Sequence, residues 1–151
     1  MSRTVPALMA AAICLLAISP SSHGQESRSY VEPRTAADAK LAPFSGAVKV
    51  GNTLYLSGDI GTDANNRVPD TAEGEARLLL ERIQTRLKQA GFTMDDLVFV
   101  QVFCSDVKHY DAFNAVYRTY FKKEFPARAF IGAGTLLFSA RFEMQGIAVK
   151  R

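Results

Sequence analysis

The amino-acid sequence predicts a single α+β domain in which two helices pack on one sheet, in the order β-β-α-β-α-β-β. Three stretches carry that prediction. AVKVGNTLYLSG, residues 47–58, is two strand-like runs around Gly51-Asn52, a pair suited to a tight hairpin turn. Downstream, Ala72, Ala76, Leu79, Ile83, Leu87 and Ala90 recur at helical spacing. Towards the end, Ala127 to Ala133 and Arg141 to Val149 read as two further strands.

The first 24 residues, MSRTVPALMAAAICLLAISPSSHG, differ in character from the rest of the chain. Arg3 supplies a basic start, Val5 to Ile18 an apolar run, and small and polar residues come next. The apolar run is shorter than the roughly 20 residues needed to cross a bilayer. These features predict a secretory signal peptide cleaved after Gly24, and so an exported protein, periplasmic or secreted. Ile13 precedes Cys14 where a lipoprotein cleavage site wants a small residue, which argues against a lipid anchor. Residues 25–40 (QESRSYVEPRTAADAK) are polar and aperiodic and read as a flexible leader, with the folded domain at 41–151.

Within the domain, Gly58 and Gly61 begin a loop that leads to the first helix. Asp70 and Glu73 have capping-box spacing at its start, and Gly91 supplies a stop where a left-handed residue is wanted. LVFVQVFC (97–104) is apolar enough for a buried strand. A second helix is expected from Tyr110 to Phe121, with Tyr110, Phe113, Tyr117 and Tyr120 on one side, broken off by Pro126. Two helices cover only one face of the sheet. The other face is made of the same apolar strands and needs a partner, for which a second copy of the chain is the economical choice.

The 151 residues are 48% hydrophobic and 22% charged, which suits one ordinary core. Of 18 basic residues only Arg3 lies in the first 24, and all 15 acidic residues lie beyond them, so the mature formal charge is +2. Acids and bases alternate, as in RLLLERIQTRLKQ, so no nucleic-acid partner is expected, nor a membrane partner once the signal is removed. Cys104 alone remains, which rules out an internal disulfide, and its apolar run makes it a packing residue. His109 is the one remaining histidine, and neither HxxxH nor CxxC occurs, so no metal site is expected. A nucleophile elbow and a dinucleotide fingerprint are also missing, so no cofactor is expected.

Two charged residues interrupt the closing strands: Arg128 in FPARAF and Glu143 in RFEMQGIAV. Burying an unpaired charge costs on the order of several kcal/mol, so each needs a partner, solvent or a ligand. An arginine at a cleft is suited to holding a carboxylate through two parallel hydrogen bonds. A carboxylate nearby is suited to orienting or deprotonating water. The residues alone leave open whether these two pair with each other, face solvent or serve a ligand.

AVKVGNTLYLSGDIG, FNAVYRTYF, FPARAF and RFEMQGIAV together resemble the RidA/YjgF family of reactive-intermediate imine deaminases, also labelled L-PSP endoribonucleases. The resemblance runs from Leu41 to Val149. It implies a chorismate-mutase-like fold with a mixed sheet, and a homotrimer with ligand clefts between subunits. It also implies metal-free and cofactor-free hydrolysis of small 2-imino acids and their enamine tautomers to 2-keto acids and ammonia. On the same ground Arg128 would hold the substrate carboxylate and Glu143 would position the attacking water. Ser57 and Gly58 fall on the family's substrate-side loop, and Asn114 on its helix asparagine. The lining departs from the family at Phe44, where a tyrosine is common, and at Asp59, where glutamine is usual. It departs again at Phe130, where a smaller residue is usual, and in TLLFSAR, which lacks the usual proline and lysine. These departures favour a second reading, a trimer that binds a small carboxylate without turnover. Chaperone-like use of the apolar surface and RNA cleavage fit the residues less well.

Overall fold

The computed structural model describes residues 27–38 and 40–150. One sheet contains β1 (Arg28–Val31), β2 (Ala47–Val50), β3 (Thr53–Ile60), β4 (Leu97–Cys104), β5 (Ala127–Gly132) and β6 (Phe142–Val149). Their spatial order is β1-β2-β3-β6-β4-β5. The β4–β5 pair is parallel and the other pairs are antiparallel, so the sheet is mixed. Helices α1 (Ala72–Gln89) and α2 (Tyr110–Tyr117) pack on one face, α2 supplying the crossover that a parallel pair requires.

The predicted order gains one strand. β1 lies inside the stretch read as a leader, and pairs with β2 from Arg28↔Val50 to Val31↔Ala47. It shows no signal in the sequence because an exposed edge strand has no apolar alternation; its backbone pairing decides its state. The predicted signal peptide lies outside the described residues.

The hairpin forms where expected, with Val50 opposite Thr53 and Gly51 at φ +55°. The cap of α1 is Thr71 rather than Asp70: the Thr71 hydroxyl accepts from Gly74 N at 3.1 Å. Gly91 ends this helix at φ +80°, with Gly91 N on Lys88 O at 2.9 Å and Phe92 N on Leu87 O at 2.8 Å. These are the two bonds of a Schellman closure, and Phe92 is buried behind them. The second helix is shorter than predicted, tightening after Tyr117 into a 3₁₀ turn over Arg118–Tyr120.

The core lies between the helices and the sheet. In β6, Phe142, Met144, Gly146 and Ala148 face the helices and are buried, while Glu143, Gln145 and Ile147 alternate to the open face. Leu79, Leu80, Ile83 and Leu87 of α1 meet them with Leu54, Leu56, Val100, Val102 and Phe113. The open face carries Tyr55, Phe99 and Ile131, each at least 36% exposed, in line with an uncovered apolar surface.

A buried ionic staple fixes α1 to β6. Glu75 is fully buried, and its Oε1 accepts from Arg141 N at 2.6 Å and from Phe142 N at 3.0 Å. Its Oε2 meets Arg141 Nη1 at 2.8 Å, and Arg141 also donates to Pro69 O and Asp70 O, both at 2.9 Å. Every oxygen of this buried carboxylate is thereby satisfied. The staple sets the start of β6, and with it the position of Glu143.

Candidate active site

Arg128 opposes Val100 in the β4–β5 register, and Val100 faces the helices, so Arg128 does too. Its Nη2 donates to Asn114 Oδ1 of α2 at 2.7 Å. The guanidinium carbon lies 4.6 Å from the centre of the Tyr117 ring, with Tyr110, Phe113 and Phe130 between 5.7 and 5.9 Å. Rings hold the cation by their negative faces without using its donors. The remaining donors therefore stay available at a cleft of about 280 Å³ lined by Asn114, Tyr117, Phe125 and Pro126. Tyr117 is an addition that the sequence did not single out. It read there as helix packing, yet its buried hydroxyl has no hydrogen-bond partner among the described residues, and burial pushes its pKa up to about 12 against the pull of Arg128.

Glu143 occupies a different place. It opposes Ile60 on the open face of the sheet, just past an irregularity in the β3–β6 register between Leu56 and Asp59. That bulge brings Gly58 against the Glu143 carboxylate so closely that a Cβ there would collide with Oε1. Gly58 thus makes room for Glu143. Ser57 turns its hydroxyl to Ser45 O at 2.6 Å, tying down the loop that carries Phe44. Phe44 stands half-exposed at the mouth of a cleft of about 340 Å³, which Gly58 and Glu143 also line.

Beneath this cleft lies a charged network. Asp59 is 6% exposed and meets Arg86 Nη1 at 2.7 Å and Arg82 Nε at 3.0 Å, while Arg86 reaches Glu32 at 3.4 Å. Burial first, and then the Asp59 charge, raise the Glu143 carboxyl above the usual carboxylate range. Among the described residues Glu143 has neither a hydrogen bond nor a salt bridge. No cluster of three or more His, Cys, Asp or Glu there is placed to hold a metal ion.

The predicted site residues therefore fall into two groups. Arg128, Asn114 and Phe130 gather on the helix side of the outer strand, and Glu143, Gly58, Ser57 and Phe44 gather around the β3 bulge. The two clefts share no lining residue.

The family model described as "Endoribonuclease L-PSP" matches residues 34–150. The chain belongs to this family, RidA/YjgF. The 2-iminobutanoate/2-iminopropanoate deaminase of Mus musculus is 35% identical to it over 118 residues, covering 77% of this chain and 87% of that protein. Among solved structures, RidA from an Antarctic Psychrobacter superposes with a TM-score of 0.69 at 28% identity, covering 73% of this chain and 90% of that one. E. coli TdcF with bound serine superposes with a TM-score of 0.70 at 25% identity, covering 74% and 91%. In this RidA/YjgF domain Arg128 bonds Asn114, and the Glu143 carboxylate lies against Gly58.

Proposed function

We propose that the protein hydrolyses small 2-imino acids, and their enamine tautomers, to 2-keto acids and ammonia in clefts between the subunits of a homotrimer. The observation that carries this reading is that Arg128 and Glu143 do not neutralise each other. Among the described residues Arg128 bonds Asn114 through one nitrogen only, and Glu143 has no salt-bridge partner. Two half-sites that share no residue become one cleft when the Arg128 edge of one copy meets the Glu143 edge of the next. The uncovered apolar sheet face supplies a reason for copies to associate.

In the proposed reaction Arg128 holds the substrate carboxylate in a fork and fixes the imine carbon beside Glu143. Glu143 takes a proton from water as the water oxygen bonds to that carbon and the C=N electron pair moves to nitrogen. Nitrogen, protonated in turn, leaves as ammonia while the C=O forms, and the Glu143 proton is returned on the way. A carboxyl group raised towards neutrality is suited to both halves of this exchange. The activity named for the mouse relative and the serine bound to TdcF support a small amino-acid-like ligand. The signal-like first 24 residues support export, which the N-terminal residue of the processed protein tests.

Phe44 favours a second reading, a carboxylate-binding trimer without turnover, because the ring at the mouth of the Glu143 cleft has no hydroxyl to bond substrate or water. Semicarbazide competition separates the two. An amino acid oxidase generates the imine, semicarbazide traps it, and a deaminase lowers the yield of semicarbazone. The deaminase reading expects a dose-dependent fall that both Arg128→Ala and Glu143→Gln abolish. The binder reading expects no fall, with affinity for keto acids lost in Arg128→Ala and kept in Glu143→Gln.

A further inference from the structure

The loop that enters β6 is unusual in both conformation and exposure. Phe138 and Ser139 take left-handed backbone angles, φ +56° and +57°, in a turn closed by Ala140 N on Leu137 O at 3.0 Å. Phenylalanine seldom adopts this conformation, since its Cβ meets the backbone there. The turn does not serve to bury its side chains: Leu137 is 69% and Phe138 55% exposed. Both line the same cleft as Glu143, and Phe44 stands there with them at 49% exposed. Three large apolar side chains thus rim the mouth of a cleft whose floor is a carboxylate. The charged groups deeper in the cleft are largely spent on one another, Asp59 on Arg82 and Arg86, and Arg86 on Glu32.

We propose that Leu137, Phe138 and Phe44 form a side-chain subsite that selects imino acids with bulky apolar side chains, of leucine or methionine size, over the alanine-derived imine. The proposal rests on the deaminase reading for its reaction and on the rim alone for its selectivity. With the carboxylate on Arg128 and the imine carbon beside Glu143, the third substituent of a planar imine carbon is the side chain. The apolar rim is the surface near Glu143 able to take it up. Burial of each further methylene multiplies affinity roughly three- to fourfold. A side chain three carbons longer than a methyl, buried against a half-open rim, gains roughly tenfold or more in kcat/KM.

The test is a substrate series in the semicarbazide assay, with imines from alanine, 2-aminobutyrate, leucine and methionine, on wild type, Phe138→Asn and Leu137→Ser. Asparagine tolerates left-handed angles, so Phe138→Asn removes the ring without forcing the turn to refold. The expected result is kcat/KM rising roughly tenfold from alanine to leucine in wild type, with the leucine-to-alanine ratio falling towards one in both variants. Equal or better use of the alanine imine by wild type overturns the proposal. So does an equal loss on every imine in the variants, or dissociation of the oligomer by either variant, which would make the rim a subunit contact.

A second measurement does not depend on turnover. Titration calorimetry compares pyruvate, 4-methyl-2-oxopentanoate and 2-oxoglutarate as ligands. If no imine is hydrolysed, the deaminase reading fails, and the order of these affinities still decides the subsite. The branched keto acid binding roughly tenfold more tightly than pyruvate supports it. Preference for 2-oxoglutarate overturns it, pointing instead to Arg34, which also lines the cleft.

Discussion

Arg128 sits among four aromatic rings with Asn114 on one of its nitrogens, whereas Glu143 sits near a second carboxylate and has no hydrogen-bond donor among the described residues. One charge is held where it is comfortable and the other where it is not. The first arrangement is what an anchor requires: a cation fixed in direction with donors to spare. The second is what a proton acceptor requires, since a carboxylate that resists ionisation readily takes a proton back. Glu75, elsewhere in the fold, shows what a purely structural buried carboxylate looks like, with backbone and guanidinium donors on both oxygens.

The largest expected effect breaks the uncomfortable half. Glu143→Gln lowers kcat by about 10²- to 10⁴-fold in steady-state assays and leaves KM nearly unchanged, because the amide fills the same space without accepting a proton. The same change raises the melting temperature near neutral pH, by about 3 °C at most. A carboxyl whose folded pKa is raised contributes stability below its unfolded pKa and loses it as pH rises through the folded one. Above that window the ionised group is a burden that glutamine lacks. The stability advantage of Glu143→Gln therefore disappears when melting is repeated at acidic pH.

Gly58→Ala reaches the same half from the backbone. Its new methyl would occupy the position of Glu143 Oε1. The strand pairing holds on either side, so the glutamate must move and the protein stays folded. A displacement of about 1 Å costs about 10²-fold in kcat. Unchanged kcat with a normal fold would show that the glycine serves something other than the position of Glu143.

On the comfortable half, Asn114→Ala removes the hydrogen bond that aims Arg128 while leaving the rings in place. Charged hydrogen bonds contribute about 1.5–3 kcal/mol, so KM rises roughly tenfold or more, with kcat affected less. A fall confined to kcat would instead place Asn114 in the chemical step.

The two halves also differ in how far the sequence discloses them. FPAR marks the anchor, because an arginine there is visible as a break in an apolar pattern, whereas the stripe Tyr110, Phe113 and Tyr117 reads only as one side of a helix. Glu143 is visible in the same way. What surrounds it is not, because it depends on contacts far apart in the chain. Glu75 meets Arg141 across 66 residues, Asp59 meets Arg82 across 23, and the bulge at Ser57–Gly58 shows only in the register of β3 against β6. β1 is hidden for a related reason: an exposed strand is defined by its partner more than by its own residues. The separation of Arg128 from Glu143 onto opposite faces is open to alternation arguments, but only once Val100 and Met144 are known to share the buried side.

The smallest effect is the sharpest test of the contrast. Asp59→Asn keeps an oxygen for Ile60 N and Arg82 Nε, removes the charge, and turns the oxygen that faces Arg86 Nη1 into an NH2 donor. Glu143 must be ionised to accept a proton from water, so activity appears as pH rises through its pKa, and a raised pKa holds that acidic limb at higher pH. Burial is the first cause of the rise and Asp59 the second, so the asparagine variant moves the limb of kcat/KM to lower pH without returning it to that of an exposed carboxylate. The variant also leaves Arg86, 8% exposed, with Glu32 as its remaining acid, so its melting temperature falls, and rates are compared well below it. The two changes are separable because they run in opposite directions, with less stability at neutral pH and relatively more activity at acidic pH. A limb that stays in place, or moves up, means that the Asp59–Arg86–Arg82 network neutralises itself and that burial alone makes Glu143 reluctant to ionise.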